Sequence, residues 1–276
     1  MDSQRLDRDS ILRDLRTHCF GRSLVILDES SSTNDVAAST AEDGAPHGAV
    51  VIAETQRAGR GRLGRAWYSP RGGIWMSILI RPKRALSFSD SLPLVGALGL
   101  AKTLGLNWRV RAAVRWPNDV VVDGRKIAGV LVESKSKGNE LIYATLGIGI
   151  NANVDTSKIE PIRDSSTSLL TILGTPINRE QLIVATLLDV EAIYESIQAS
   201  GESAALECLG DLDWSRGKLV NVRTVDRDFV GVFDSYESLG RARIRTASGL
   251  ERVETSALVS VDYKSDQMKR PQANKR

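Results

Sequence analysis

Gly59-Arg-Gly-Arg-Leu-Gly-Arg65 lies between two apolar runs, Ala49-Val-Val-Ile-Ala53 and Ile74-Trp-Met-Ser-Ile-Leu-Ile80, and its reading decides the fold. Gly59, Gly61 and Gly64 satisfy G-x-G-x-x-G, which invites a dinucleotide-binding βαβ unit. That unit needs a helix directly after the glycines and an acidic residue about 20 positions further on. Here the glycines lead into Trp67-Tyr-Ser-Pro-Arg-Gly-Gly73, where Pro70 and the glycine pair oppose a helix, and the first downstream carboxylate is Asp90. A Walker A loop fails too, since Gly217-Lys-Leu lacks the terminal Ser or Thr. The arginine-glycine segment therefore reads as a loop between one strand entering it and one leaving it.

Outward from that loop, Thr55 to Ser89 holds eight Arg or Lys and no carboxylate. Guanidinium groups among glycines let backbone N–H groups and fixed charge converge on one anion. A nucleic-acid patch competes with this reading, as does a solvated basic loop without a ligand. Nucleic-acid binders are usually basic throughout, whereas this chain has 37 basic against 34 acidic residues, net +3. The charge is local.

The 276 residues allow one large domain and a smaller one, and 42% hydrophobic with 26% charged residues is ordinary for a globular protein. The start, Met1-Asp-Ser-Gln-Arg-Leu-Asp-Arg-Asp-Ser10, lacks the apolar core of a signal peptide, and Lys102 interrupts the longest apolar run, so a cytoplasmic protein without a membrane span is expected. Cys19 and Cys208 stand far apart with no C-x-x-C spacing, which argues against a disulfide framework or zinc site. His18 and His47 accompany no credible Ser or Cys nucleophile motif, which weakens hydrolase readings.

Helical spacing is expected over Asp7 to Cys19, Asp35 to Glu42 behind the cluster Ser30-Ser-Ser-Thr-Asn34, Ser91 to Leu106 capped by Ser89 or Asp90, and Arg179 to Ala199 capped by Asn178. Strands are expected at Val25 to Leu27, Ala49 to Glu54, Ile74 to Ile80, Val114 to Val122 interrupted by Trp116-Pro-Asn-Asp119, Lys126 to Glu133 after the turn Asp123-Gly124, and Leu141 to Ile150. The fold class is α+β: a mixed, largely antiparallel sheet with helices packed on it. From Lys218 the texture changes to four short strands, Lys218 to Val225, Phe229 to Tyr236, Ala242 to Thr246 and Val253 to Val261, a small C-terminal β-barrel. Residues 264–276 form a basic tail expected to be disordered.

Ser32-Thr-Asn34, Gln56 with Gly59 to Arg65 and Trp67, Arg115-Trp-Pro-Asn-Asp119 with Lys126-Ile-Ala-Gly129, and Gly147-Ile-Gly-Ile-Asn151, in that order, resemble the biotin protein ligases over roughly residues 24–262. The resemblance implies a catalytic domain like that of class II aminoacyl-tRNA synthetases over 23–212, preceded by an extension over 1–22 and followed by an SH3-like barrel over 213–263. Repressor members carry an amino-terminal winged helix-turn-helix; the short extension here implies the ligase-only form. The implied reaction joins biotin and ATP into biotinyl-5′-adenylate with release of pyrophosphate. A lysine of a biotin carboxyl carrier protein or domain then takes the biotinyl group. ATP and Mg²⁺ are the implied cofactors and biotin the substrate, with no specific nucleic acid or membrane partner, and a monomer or homodimer. The nearest enzyme alternative is a lipoate or octanoate ligase; a nucleic-acid-binding regulator is the alternative of another class.

By resemblance Lys126, Arg62 and Arg60 are catalytic. Lys126 stands at the biotin carboxylate and α-phosphate, Arg60 and Arg62 order the loop over biotin and the α-phosphate, Arg62 also binding ATP, and Arg65 reaches the polyphosphate. Ser32, Thr33, Asn34 and Gln56 serve the biotin side, with Ser32 and Thr33 equally readable as helix caps. Gly59, Gly61, Gly129, Gly147 and Gly149 leave room for ring and chain against bare backbone. Trp67 is expected to stack on adenine or to be core, Arg115 and Asn118 to face the nucleotide, Asn151 to recognise it, and Asp119 to hold Mg²⁺ unless it serves the turn after Pro117. The family usually has lysine where Arg115 stands, so a planar fork replaces a compact ammonium there.

Overall fold

The computed structural model describes residues 5–82 and 86–264, so the basic tail expected at 264–276 falls, after Lys264, outside the described residues. Seven strands build the larger sheet: β1 (Leu24–Ser30), β2 (Val50–Gln56), β3 (Ile74–Ile80), β4 (Ala113–Arg115), β5 (Asp119–Val122), β6 (Arg125–Lys137) and β7 (Glu140–Ile150). Their spatial order is β1-β2-β3-β7-β6-β5-β4, and only β1 and β2 run parallel. A parallel pair needs a crossover, and helix α2 (Thr33–Glu42) supplies it. The β5–β6 connection is the expected two-residue turn, with Asp123 (φ 49) and Gly124 (φ 75) both left-handed as a type I′ hairpin requires.

The sheet has a different covering on each face. Along β3 the period of two sends Ile74, Met76, Ile78 and Ile80 into the main core. Ser77 and Leu79 face the side of α2, where Leu79 joins Ala41, Ala49 and Tyr143 in a small cluster. Helix α3 (Leu92–Trp108) is buried over most of its length between the sheet and α5 (Arg179–Ser200). Gly99 permits this packing, because a Cβ there would stand 2.6 Å from Val190 Cγ2. Ser91, rather than Ser89 or Asp90, is the cap position of α3, and its hydroxyl donates to Glu202 Oε1 at 2.6 Å instead of capping. Asn178 caps α5 as expected, accepting from Gln181 N at 2.8 Å.

Two helices lacking a clear sequence signal appear, α4 (Leu169–Leu173) and α6 (Ser203–Leu212). The amino-terminal helix α1 (Arg8–Asp14) stops short of the expected Cys19. Leu15 caps it in an extended conformation, and buried Glu191 of α5 holds the following chain by accepting from the backbone N–H groups of His18, Cys19 and Phe20 at 2.6, 2.8 and 2.7 Å. In the same region Glu54 of β2 and Arg179 of α5 form a buried ion pair at 2.8 Å, both at most 3% exposed.

A second, all-antiparallel sheet has the order β11-β10-β9-β8-β12. Its strands are β8 (Leu219–Thr224), β9 (Asp228–Ser238), β10 (Arg241–Thr246), β11 (Gly249–Glu254) and β12 (Leu258–Tyr263). The single strand expected over Val253 to Val261 is two strands, since β11 pairs with β10 while β12 crosses to β8 at the other edge. Thr255-Ser-Ala257 make that break, with Thr255 N bonded to Gly240 O at 2.9 Å. This is the α+β arrangement expected, a mixed, largely antiparallel sheet with helices followed by a small β unit. Phe233 at 5.8 Å from Trp116 packs the second sheet into the main core. Among the described residues, no helix is long and apolar enough to cross a membrane.

Candidate active site

A cavity of about 680 Å³ opens between the two sheets. Every site residue singled out from sequence lines it except Gly59. Gly59 instead shapes the loop: a Cβ there would lie 2.5 Å from Trp67 O and 2.6 Å from Ser69 Oγ.

One end of the cavity is neutral and internally bonded. Thr33 and Asn34 open α2, and Ser32 is its cap residue but makes no side-chain capping bond, so capping does not account for the hydroxyl. Gln56, at the end of β2, accepts from Thr33 N at 2.8 Å and Thr33 Oγ1 at 3.2 Å, while its Nε2 donates to Ser69 Oγ at 2.8 Å. Ser77 Oγ lies 2.8 Å from Thr33 Oγ1 and donates to Asn34 Oδ1 at 2.6 Å. Sequence reasoning missed Ser77, although a lone hydroxyl in the otherwise apolar Ile74–Ile80 is a usable signal. Gly147 serves this cluster, since a Cβ there would stand 2.5 Å from Asn34 Oδ1.

The arginine-glycine loop is folded back on itself, with Trp67 N bonded to Gly59 O at 2.9 Å and Gly61 N to Arg65 O at 2.7 Å. Leu63 (φ 55) and Gly64 (φ 71) turn the chain at its tip. The loop's arginines have different partners. Arg60 donates to Glu133 at 2.9 and 2.8 Å and to Asp35 at 3.1 and 2.5 Å, two carboxylates absent from the sequence reading. Those bonds raise the Arg60 pKa, and the same guanidinium lowers that of Asp35. Glu133 also accepts from Asn34 Nδ2 at 2.7 Å, tying the loop to the neutral end. Arg62 turns the other way and donates to two carbonyls of the second sheet, Thr255 O at 3.0 Å and Leu258 O at 2.7 Å. Burial lowers its pKa from the usual guanidinium value.

Trp67 lies between the two ends. A Cβ at Gly149 would stand 2.6 Å from its Nε1 and one at Gly129 would stand 3.1 Å from Cζ3, so the indole occupies space that the glycines were expected to leave for ring and chain. Its Nε1 is buried without a hydrogen-bond partner.

The other end is cationic. Lys126 Nζ lies 2.5 Å from Asp119 Oδ1 and 5.0 Å from the Trp67 ring. Arg115 reaches the same carboxylate at 2.8 Å. Burial pushes the Asp119 pKa up, but Lys126 and Arg115 outweigh it and the net direction is down. With its carboxylate between two side-chain cations, and Asn118 Nδ2 donating to Val130 O at 2.7 Å, this pair does not fit a directly ligated divalent cation. Asn151 is buried and donates to Thr167 O at 3.1 Å, holding the segment that follows β7. Among the described residues the one cluster of potential metal ligands is His18, Glu191 and Glu195, none of which lines the cavity. Glu191 there is already engaged by backbone N–H groups.

Residues 27–151 match the model of the biotin/lipoate A/B protein ligase family. The bifunctional ligase/repressor BirA of Bacillus spizizenii is 30% identical over 251 residues, which cover 90% of this chain and 77% of that protein. A biotin–[acetyl-CoA-carboxylase] ligase of Paracoccus denitrificans is 35% identical over 233 residues, covering 81% of this chain and 95% of its own. Among solved structures, the biotin protein ligase of Aquifex aeolicus in complex with biotin and ATP superposes with a TM-score of 0.77 at 27% identity, covering 88% of this chain and all of that one. Identity of this extent over both sheets, together with the matched segment that contains the cavity's loop and glycines, means that the chain belongs to the biotin/lipoate A/B protein ligase family.

Proposed function

We propose that the protein is a biotin protein ligase of the cytoplasm, which activates biotin with ATP and transfers it to a lysine of a biotin carboxyl carrier protein or domain. The observation that carries this reading is a cavity with an uncharged donor–acceptor cluster at one end and converging cations, Lys126 among them, at the other. Biotin has that polarity, with a neutral ureido ring and an anionic carboxylate. Residues 23–212 would form the catalytic domain, with residues 1–22 as an extension and 213–263 as the SH3-like unit.

Adenylation brings a carboxylate to a triphosphate, two anions that repel each other. Ser32, Thr33, Asn34 and Gln56 would hold the ureido end, so that the carboxylate points toward Lys126. The carboxylate oxygen forms a bond to the α-phosphorus while the bond from phosphorus to the bridging oxygen breaks, its electron pair leaving with pyrophosphate. Lys126 and Arg62 face the charge that grows on the phosphoryl oxygens, and such preorganised groups act most strongly where water is excluded. Asp119 holds the Lys126 ammonium in place. Arg60 would act through the loop it ties to Asp35 and Glu133. In the second step a neutral carrier amine attacks the mixed-anhydride carbonyl, the C–N bond forms, AMP leaves and the amine gives up a proton. Mg²⁺ would enter with the nucleotide on phosphate oxygens, since Asp119 is taken. Trp67 would leave the glycines as substrate enters, and Arg65, Arg115, Asn118 and Asn151 would complete the nucleotide side.

The test is incubation with biotin, ATP, Mg²⁺ and a carrier domain, followed by intact mass of the carrier. One biotinyl group per carrier, dependent on ATP and not given by lipoate, is the expected result. An unmodified carrier together with lipoate-dependent ATP–pyrophosphate exchange would replace this reading with lipoate ligation.

A further inference from the structure

The proton directions at the neutral end of the cavity are set by a charge that does not line it. Glu133 lies on β6 behind the cavity wall, yet its Oε2 accepts from Asn34 Nδ2 at 2.7 Å. A second β6 acceptor, Leu131 O, lies 3.5 Å from the same nitrogen. A carboxylate or a carbonyl accepts and cannot donate, so only the nitrogen end of the Asn34 amide can face β6. The oxygen end is thereby turned to the other side, where Ser77 Oγ donates to Oδ1 at 2.6 Å. Asn34 is 4% exposed, so a reversed amide would set Oδ1 against the carboxylate with little water to part the two acceptors. Arg60 keeps Glu133 in this role, since its guanidinium donates to both carboxylate oxygens, at 2.9 and 2.8 Å.

The orientation places an acceptor over bare backbone. A Cβ on Gly147 would stand 2.5 Å from Asn34 Oδ1 and 3.2 Å from Nδ2, while one on Gly149, two residues along the same face of β7, would meet Trp67. Asn34 Oδ1 and the Trp67 indole therefore stand side by side on that face, and both residues line the cavity. A ligand ring that takes the indole's place on Gly149 comes within reach of Oδ1. An amide oxygen has two lone pairs and Ser77 uses one, which leaves the second for a donor on the ligand. The amide nitrogen has nothing to offer there, because its protons are directed at Glu133 and Leu131.

We infer that Glu133 is a positioning residue that makes the site selective for a ligand N–H: it holds the Asn34 amide nitrogen and so presents Oδ1 as an acceptor to a ureido N–H. The inference rests on the biotin reading above for the identity of the ligand, and on the orientation of one buried amide for its physics. Glu133 itself does not touch the ligand; its effect passes through Asn34.

The experiment uses the full-length chain and the isosteric variant Glu133→Gln, in which the introduced amide keeps an oxygen for Arg60 and offers an N–H to Asn34. The Asn34 amide then reverses, with Oδ1 on the introduced N–H and Nδ2 toward Ser77. Calorimetry compares biotin with two cyclic carbamates of the same shape, in each of which one ureido N–H is replaced by oxygen. Wild type should prefer biotin over one of these carbamates by about tenfold, the scale of one hydrogen bond, and Glu133→Gln should remove most of that preference. A loosened loop at Arg60 would weaken all three ligands alike and leave the ratio intact. Equal affinities in wild type, or an unchanged ratio in the variant, therefore overturn the inference. The amide is also read without ligand, from side-chain nitrogen–proton correlation spectra in which the Asn34 signal is identified by its loss in Asn34→Ala. The proton on the carboxylate should resonate downfield in wild type and move upfield in Glu133→Gln; an unmoved signal again overturns the inference. Failure of the wild-type chain to bind biotin strikes the ligase reading instead, and the amide spectra still decide whether Glu133 sets the orientation.

Discussion

The two ends of the cavity are built on opposite plans. At the neutral end Thr33, Asn34, Gln56 and Ser77 come from α2, β2 and β3 and satisfy one another by hydrogen bonds before any ligand arrives. At the cationic end Arg115, Lys126 and Arg62 come from β4, β6 and the loop, the first two sharing Asp119. A preformed neutral cluster orders a ligand at little cost in reorganisation, whereas side-chain cations converging on one wall attract an arriving polyanion. The first end is suited to selecting biotin and the second to driving chemistry.

Removing Lys126, the cation proposed to act on the reacting phosphoryl group, should separate the two ends most clearly. Lys126→Ala should raise the adenylation barrier by about 2 to 4 kcal/mol, measured by ATP–pyrophosphate exchange. Equal rates for variant and wild type would take Lys126 out of the chemistry. Arg62→Ala should lose a similar amount in rate but also about 1 kcal/mol of stability, because its guanidinium bonds two carbonyls of the second sheet. The opposite pattern is expected from Ser77→Ala, which leaves Asn34 Oδ1 without its donor. It should weaken biotin by about 1 to 2 kcal/mol in calorimetry and leave the affinity for ATP alone unchanged. A variant that lost ATP and kept biotin would reverse the assignment of the ends.

Smaller effects sharpen the comparison at the loop between them. Asp35→Asn removes one of two carboxylates on Arg60, and since Asp35 is half exposed the cost should stay below about 1 kcal/mol. Hydrogen exchange should nevertheless quicken across Gly59–Arg65 while the core strands are unaffected, because the loop has few apolar anchors. Exchange there as slow as in β3 would show that other contacts hold it. The smallest signal concerns pH. The folded Asp119 pKa lies below its ordinary value of about 3.9, so its stabilising contribution is full above that value and fades as pH falls through the folded one. The difference in melting temperature between wild type and Asp119→Asn should therefore be flat from about pH 5 to 8 and shrink only below about pH 4.

The comparison also marks what could be read locally. Strands such as Ile74–Ile80 and the helix after Asn178 announce themselves because burial imposes a period on neighbouring residues. The break at Thr255 could not be read in this way, because the choice between continuing β11 and starting β12 depends on which distant edge each strand joins. Glu191 likewise fixes the non-helical chain after α1 from 172 positions away, measured at its bond to Cys19 N. Within the site, the arginines, the glycines and Lys126 stood out by type and spacing. Their partners Asp35, Glu133 and Ser77 did not, because an isolated carboxylate or hydroxyl looks like any surface or turn residue until the sheet places it.

By itself, the amino-acid sequence determined the alternation of strands and helices, the local excess of positive charge around Gly59–Arg65 and the residues able to meet two anions, since periodicity and charge are properties of the chain. Only the tertiary structure decided that Arg60 is tied to carboxylates while Arg62 crosses to the second sheet, and that Trp67 rests on Gly129 and Gly149. Those pairings are between residues tens to almost two hundred positions apart. Their energies depend on distances that only packing can set.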